Sequence, residues 1–259
     1  MTVLNVLDAR GVTIRFGGLT AVCDFNLSIM PNELVGLIGP NGAGKTTIFN
    51  MLTGVYKPTE GDIRVSGVDT KTLKPFDITK LGAARTFQNI RVFKNLSLLD
   101  NVRIGGHIHY KYSWADSVLH SVTFREHEEQ AEKEAIELLS IFDLDHRARD
   151  EARSLPYGDQ RRLEIARALA AKPKLLLLDE PAAGLNTGET MELMQQIHEI
   201  RNRFGIAILL IEHNMELVMG ICERILVLNY GRTIAQGRPE AIQNDPVVIE
   251  AYLGEPVEA

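Results

Sequence analysis

The run Gly39-Pro40-Asn41-Gly42-Ala43-Gly44-Lys45-Thr46-Thr47 follows a short apolar stretch, Leu34 to Ile38, and holds the strongest chemical signal in the chain. Glycines at 39, 42 and 44 let the backbone bend tightly, so that several N–H groups converge on one anion. A helix starting at Lys45 would aim its N-terminal N–H groups and the positive end of its dipole at the same anion. Lys45 can then reach the β- and γ-phosphates of a nucleoside triphosphate, and the Thr46 hydroxyl can ligate Mg²⁺. All nine residues are candidate phosphate-binding positions. A glycine-rich turn with no ligand has the same form, so the reading depends on finding further parts.

Leu175-Leu176-Leu177-Leu178-Asp179-Glu180-Pro181 is such a part. It reads as a buried strand with two carboxylates at its C-terminal end, where ligands bind in open α/β sheets. Asp179 suits the second protein ligand of Mg²⁺. Glu180, one residue further along an extended chain, would face the other way and polarise a water aimed at the γ-phosphate. Taken alone, the segment is equally a core strand ending in a polar turn.

These groups need a parallel sheet to hold them. Val12 to Phe16, Leu34 to Ile38, Asp62 to Val65, Lys174 to Leu178, Ile206 to Ile211 and Arg224 to Leu228 read as strands. The best of them are nearly continuous apolar runs, as expected of parallel strands covered on both faces. Lys45 to Thr53, stopped by Gly54, and Thr187 to Phe204, stopped by Gly205, read as helices. This alternation predicts an α/β fold. From about Asn89 to Arg153 the character turns helical, with an acidic stretch, Glu126 to Glu137, read as a solvated face. Tyr230-Gly231 reads as a tight turn between strands, and Arg238 to Leu253 as short helices.

The 259 residues are 45% apolar, enough for one large domain or a core with a subdomain. A formal charge of −6 offers no broad attraction for nucleic acid. Cys23 and Cys222 have no metal-ligand spacing and read as buried thiols in a reducing compartment. The first residues carry early charges and no long apolar segment, so no secretory leader is expected. The longest apolar runs fall far below the ~20 residues that span a bilayer. A cytosolic protein, able to sit against a membrane partner, is the expectation.

The remaining pieces resemble, in kind and order, the ATP-binding subunit of ABC transporters. Phe16 resembles the adenine-stacking aromatic, and Gln88 in Thr86-Phe87-Gln88 resembles the Q-loop glutamine. Leu155-Pro156-Tyr157-Gly158-Asp159 resembles the signature segment, Gly184-Leu185-Asn186 the D-loop, and His213 the switch histidine. Individually, Phe16 could be core, Gln88 a surface amide and His213 a satisfied histidine after a buried strand. The resemblance implies a P-loop NTPase core with a parallel sheet, an N-terminal antiparallel β part and an inserted helical subdomain. Residues 1–88 and 159–235 would form the core, 89–158 the helical subdomain and 236–259 a helical tail. It further implies catalytic roles for Glu180, His213 and Gln88, with Mg²⁺ met by Thr46, Gln88 and Asp179. Gly158 would approach the ATP of an opposite subunit.

The signature departs from the family pattern. Pro156 replaces a serine and has neither hydroxyl nor N–H to offer, Asp159 replaces a glutamine, and Asn186 stands for the D-loop aspartate. These changes touch what this chain gives to its neighbour and leave its own cradle intact, which points to pairing with a different ATPase subunit.

Arg15 to Val22, Arg85 to Gln88, Arg161 to Leu169, Glu180 to Asn186 and the ending with Ala251-Tyr252-Leu253-Gly254 resemble the larger of two ATPases in bacterial branched-chain amino acid importers. That likeness implies two membrane permease subunits, a partner ATPase and an extracytoplasmic solute-binding protein, with this chain peripheral on the inner face of the cell membrane. Urea or amide import, lipopolysaccharide-type export with a homodimer, a non-transport ABC ATPase, and a nucleotide sensor that does not hydrolyse are the alternatives.

Overall fold

The computed structural model describes residues 4–109 and 122–253. The segment 110–121 of the expected helical insert and the end of the expected tail, 254–259, lie outside the described residues.

Two sheets carry the fold. Strands β1 (Leu7–Phe16), β2 (Leu19–Ile29), β4 (Glu60–Val65) and β5 (Val68–Asp69) form an antiparallel sheet in the order β2-β1-β4-β5. The second sheet has the order β10-β9-β3-β8-β7-β6. It comprises β3 (Leu34–Ile38), β6 (Ala83–Arg85), β7 (Leu175–Asp179), β8 (Ala207–Ile211), β9 (Arg224–Asn229) and β10 (Arg232–Gly237). Its pairs are parallel apart from the β9–β10 hairpin, which turns at Tyr230-Gly231 with positive φ at both residues.

Strands β3, β7 and β8 are buried at every residue, and their side chains alternate between two cores. Leu176, Leu178, Ile208 and Leu210 join the core under the long helices. Leu175, Leu177, Leu209 and Ile211 join the one shared with Phe25, Phe49 and the antiparallel sheet. This double burial is why the strands read as unbroken apolar runs. Their C-terminal ends point the same way, so Gly39, Asp179 and Glu212 all leave the sheet along one rim.

The helices are α1 (Lys45–Leu52), α2 (Pro75–Lys80), α3 (Leu98–Gly106), α4 (Val122–Ser140), α5 (Tyr157–Ala170), α6 (Thr187–Phe204), α7 (Met215–Ile221), α8 (Pro239–Gln243) and α9 (Pro246–Leu253). In α4 the buried Ala131, Ala135, Leu138 and Leu139 form the inward stripe. The acidic stretch is only partly solvated, since Glu134 pairs with Lys172 and Glu128 with Arg103. Helix α5 runs continuously through the expected 158/159 division, so the helical insert and the sheet core share it. No helix among the described residues is long and apolar enough to cross a membrane.

Candidate active site

Strand β3 delivers the chain to Gly39, where a Cβ would lie 2.2 Å from the Leu228 carbonyl oxygen. Gly44 has φ 105°, and a Cβ there would press on the Ala21 carbonyl at 3.0 Å. Only glycine lets the loop lie this close to β9 and β2. Asn41, Gly42 and Thr46 are exposed, Pro40, Gly44 and Thr47 are half-buried, and Ala43 is buried. Lys45 is 6% exposed, and its Nζ donates to the Gly39 and Pro40 carbonyls at 2.6 and 3.0 Å. Those bonds use two of the three ammonium donors and hold the amine at the loop. Burial lowers the Lys45 pKa, and the charges of Glu180 and Asp179 oppose that shift. An arriving anion would meet a desolvated cation, whose field is stronger than it would be in water.

Asp179 ends β7 at 1% exposure. Its Oδ2 accepts from Arg85 Nη2 at 2.7 Å, and its backbone N–H donates to Thr86 Oγ1 at 3.3 Å. Oδ1 is buried with no hydrogen-bond partner. A buried carboxylate oxygen is costly when unpaired, and a hard oxygen donor of this kind is what Mg²⁺ takes. With the exposed Thr46 hydroxyl beside Lys45, the residues present fit the metal.

Glu180 departs from the expected extended geometry. It has φ 50°, and its N–H donates to the Ile211 carbonyl at 2.9 Å. The chain therefore turns at Glu180 in the left-handed region, and its side chain swings over the rim. There Oε2 accepts from Gln88 Nε2 at 2.9 Å, and Oε1 lies 3.0 Å from His213 Nε2. With Glu180 ionised, the imidazole presents Nε2–H to it. Gln88, Glu180 and His213, set apart by 92 and 33 residues in sequence, thus form one cluster. The Glu180 carboxylate lies near enough to Lys45 for its charge to act on the ammonium.

Phe16 ends β1 and packs edge-on against Tyr56, with centroids 5.3 Å apart and planes at 72°. Both rings are partly exposed, and Phe16 at 44% offers a free face to a base. Gly158 lies in the first turn of α5, where a Cβ would meet Leu185 and Glu189. No hydrogen bond joins Gly158 to the cradle residues among the described residues. Pro156 is the N-cap of α5 with no side-chain cap bond, and Asp159 lies 3.3 Å from Arg162, which also pairs with Glu192. Asn186 is the N-cap of α6 and forms a reciprocal capping box with Glu189.

Several residues at the site escaped sequence reasoning. Arg85, with its side chain 6% exposed, bonds Asp179 and Asn50 and lies over the rings of Phe49 and Phe87. Fully buried Arg161 donates to the carbonyls of Phe87 and Gln88 at 2.6 and 2.7 Å and pairs with Glu164 at 3.0 Å. Glu164 in turn accepts from the Arg91 N–H. Glu212 adjoins His213, and Tyr56 meets Phe16. Arg85 and Arg161 stood in stretches already singled out, but an arginine gives no signal of burial in a sequence.

The comparisons with known proteins give the family. Residues 22–183 match the family model described as "ABC transporter", and residues 232–258 match "Branched-chain amino acid ATP-binding cassette transporter". The chain belongs to the ABC transporter family and is one of its ATPases. It is 48% identical over 250 residues, 96% of this chain and 98% of the relative, to the High-affinity branched-chain amino acid transport ATP-binding protein LivG of Escherichia coli (strain K12). Against the Lipopolysaccharide export system ATP-binding protein LptB of Haemophilus influenzae it is 34% identical, covering 97% of this chain and 98% of the relative. Among solved structures, the ADP conformation of MJ1267, an ATP-binding cassette of an ABC transporter, superposes with a TM-score of 0.83 at 30% identity. That match covers 97% of this chain and 100% of the other.

Proposed function

We propose that this chain is the ATP-hydrolysing subunit that powers a branched-chain amino acid importer. The observation that carries hydrolysis is the placement of Glu180 between Gln88 and His213, with its charge felt at Lys45. The 48% identity to LivG and the match of residues 232–258 support the solute class. The 34% identity to LptB makes lipopolysaccharide export a more distant second reading.

In this reading Phe16 stacks the adenine and Tyr56 braces the Phe16 ring edge-on. The loop from Gly39 to Thr47 wraps the phosphates with backbone N–H groups, and Lys45 neutralises the outer ones. Thr46 and Asp179 would hold Mg²⁺, with Gln88 beside them; the ion supplies charge neutralisation on the β- and γ-phosphates. Glu180 orients the attacking water and takes its proton, and His213, whose single N–H holds Glu180 in this structure, would turn that donor to the developing phosphate charge when nucleotide is bound. Residues 1–88 and 159–235 serve as the nucleotide-binding core, 89–158 as the helical insert and 236–259 as the tail.

The partners are a second ATPase subunit, two permease subunits and an extracytoplasmic solute-binding protein, with this chain on the inner face of the membrane. Pro156 and Asp159 support a heterodimer. The first carries no hydrogen for a phosphate, and the second keeps a carboxylate in the first turn of α5 even while it leans on Arg162. A neighbour with an intact signature would complete the Lys45 site.

The test is co-purification with the genes' neighbouring products, reconstitution in vesicles, and measurement of phosphate release and uptake. Leucine with its binding protein should stimulate ATP hydrolysis, and Lys45→Ala should abolish both readouts. Stimulation by an amide or by lipopolysaccharide instead would reassign the solute. Unchanged turnover in Lys45→Ala would end the reading altogether.

A further inference from the structure

Glu212 is a buried carboxylate with no cation beside it. It is 3% exposed, and no ion pair involves it among the described residues. Its Oε1 accepts from the Ala182 N–H at 2.7 Å, and its Oε2 accepts from the N–H groups of His213 and Asn214 at 3.1 and 3.4 Å. Burial and the nearby charge of Glu180 push its pKa up, and the three N–H groups oppose this. A charge placed there is costly unless it is hydrogen-bonded, and the three N–H groups supply those bonds.

What the carboxylate spans explains its presence. Glu180 and His213 sit on two different loops, leaving β7 and β8. The Glu180 N–H is tied to Ile211, at the end of β8. Pro181 has no N–H, so the next donor is Ala182, and Glu212 takes it. The same carboxylate holds the backbone of His213 and of Asn214, which caps α7 through the Leu217 N–H. Glu180 is thus flanked on both sides by links to the loop that carries His213. Its left-handed φ of 50° is one that a non-glycine residue keeps only when its surroundings over-determine it.

We propose that Glu212 is a positioning residue of the hydrolytic site, bridging the backbones of the Glu180 and His213 loops and so setting the separation and aim of the two side chains. It acts through the backbones it holds. The inference rests on the reading of Glu180 as the group that activates water.

Glu212→Gln in the assembled transporter tests it. The amide keeps the size but offers one acceptor oxygen where the carboxylate offers two, so either the Ala182 side or the His213 side of the bridge is lost. Expected are a fall in kcat of about tenfold or more and a KM for ATP within about twofold of the parent. Stoichiometric binding of a fluorescent ATP analogue should be retained. In a His213→Ala background the same change should cost less than about threefold, because the partner it aims is gone.

An equal loss in both backgrounds, or a matching loss of nucleotide stoichiometry, would mean that Glu212 only supports folding and would overturn the proposal. So would a kcat within about twofold of the parent. Should Glu212→Gln fail to assemble, Glu212→Asp, which keeps the charge and shortens the bridge by one methylene, carries the same comparison. Glu180→Gln serves as the control. If it leaves hydrolysis intact, the site reading itself fails; if it abolishes hydrolysis while Glu212→Gln is silent, the positioning role alone falls.

Discussion

Arg85 Nη2 stands 2.7 Å from Asp179 Oδ2, with the two side chains 6% and 2% exposed, so the candidate metal ligand is itself half of a buried ion pair. Removing one partner of such a pair strands the other charge in the protein interior. Arg85→Met is expected to destabilise the fold by about 3–5 kcal/mol. Arg85→Met combined with Asp179→Leu should cost less than half of that, because no lone charge remains. Denaturant midpoints of both single variants and the double variant decide it, and a double loss equal to the sum of the two single losses would show that the pair is not coupled.

Glu180→Gln keeps the side-chain size but removes the base and one of its two acceptor oxygens. Phosphate release should fall by about a hundredfold or more, while ATP binding is retained. Lys45→Ala should lose the binding as well. Single-turnover phosphate release and equilibrium nucleotide binding, measured on the same preparations, separate the two effects.

Stacking on Phe16 contributes on the order of 1 kcal/mol to base binding. Phe16→Ala is therefore expected to raise the KM for ATP about fivefold with little change in kcat, and Tyr56→Ala to do so more weakly by releasing the Phe16 ring. Steady-state kinetics with ATP check this. A fall in kcat at constant KM would place the ring away from the base.

Burial raises the carboxyl pKa of Glu212 above its unfolded value, so the native state holds the extra proton between the two. The stability linked to that proton is fully present below the ordinary carboxylate range and is lost as pH rises through the raised value. The stability of the parent relative to Glu212→Gln should accordingly shrink as pH climbs through that window. Urea unfolding of both proteins at a series of pH values measures it, and a constant difference would contradict the shift.

The Cys222 thiol is pushed up to about 12 by burial, while Cys23 is half-buried. Iodoacetamide near neutral pH should label Cys23 first and reach Cys222 only in denaturant, since the thiolate is the reactive form. Peptide mapping by mass spectrometry reads the order.

The cradle and the acidic strand end were legible because each is a contiguous run whose chemistry needs its residues adjacent. Gln88 and His213 took meaning only from their order around those runs. Arg85 and Glu212 had no such marker, since their partners lie 94 and 30 residues away and only folding brings them together. Among the strands, β2 escaped notice because Asp24, at φ 50°, and the register shifts against β1 break its apolar alternation. Strand β6 has three residues, too few to show a period. The turn at Glu180 was invisible because a strand and a left-handed turn share the same sequence until the backbone is seen.

Arg161 gives the molecule a stiff crossbar. Rooted one turn into α5, it grips the main chain at Phe87 and Gln88 with its guanidinium, and Glu164 locks Arg91 beyond them. A shift of the Gln88 backbone would therefore drag the leading end of α5, and with it Pro156 and Tyr157. The backbone that carries Gln88 and the start of α5 are in this way geared together by a side chain that never meets solvent.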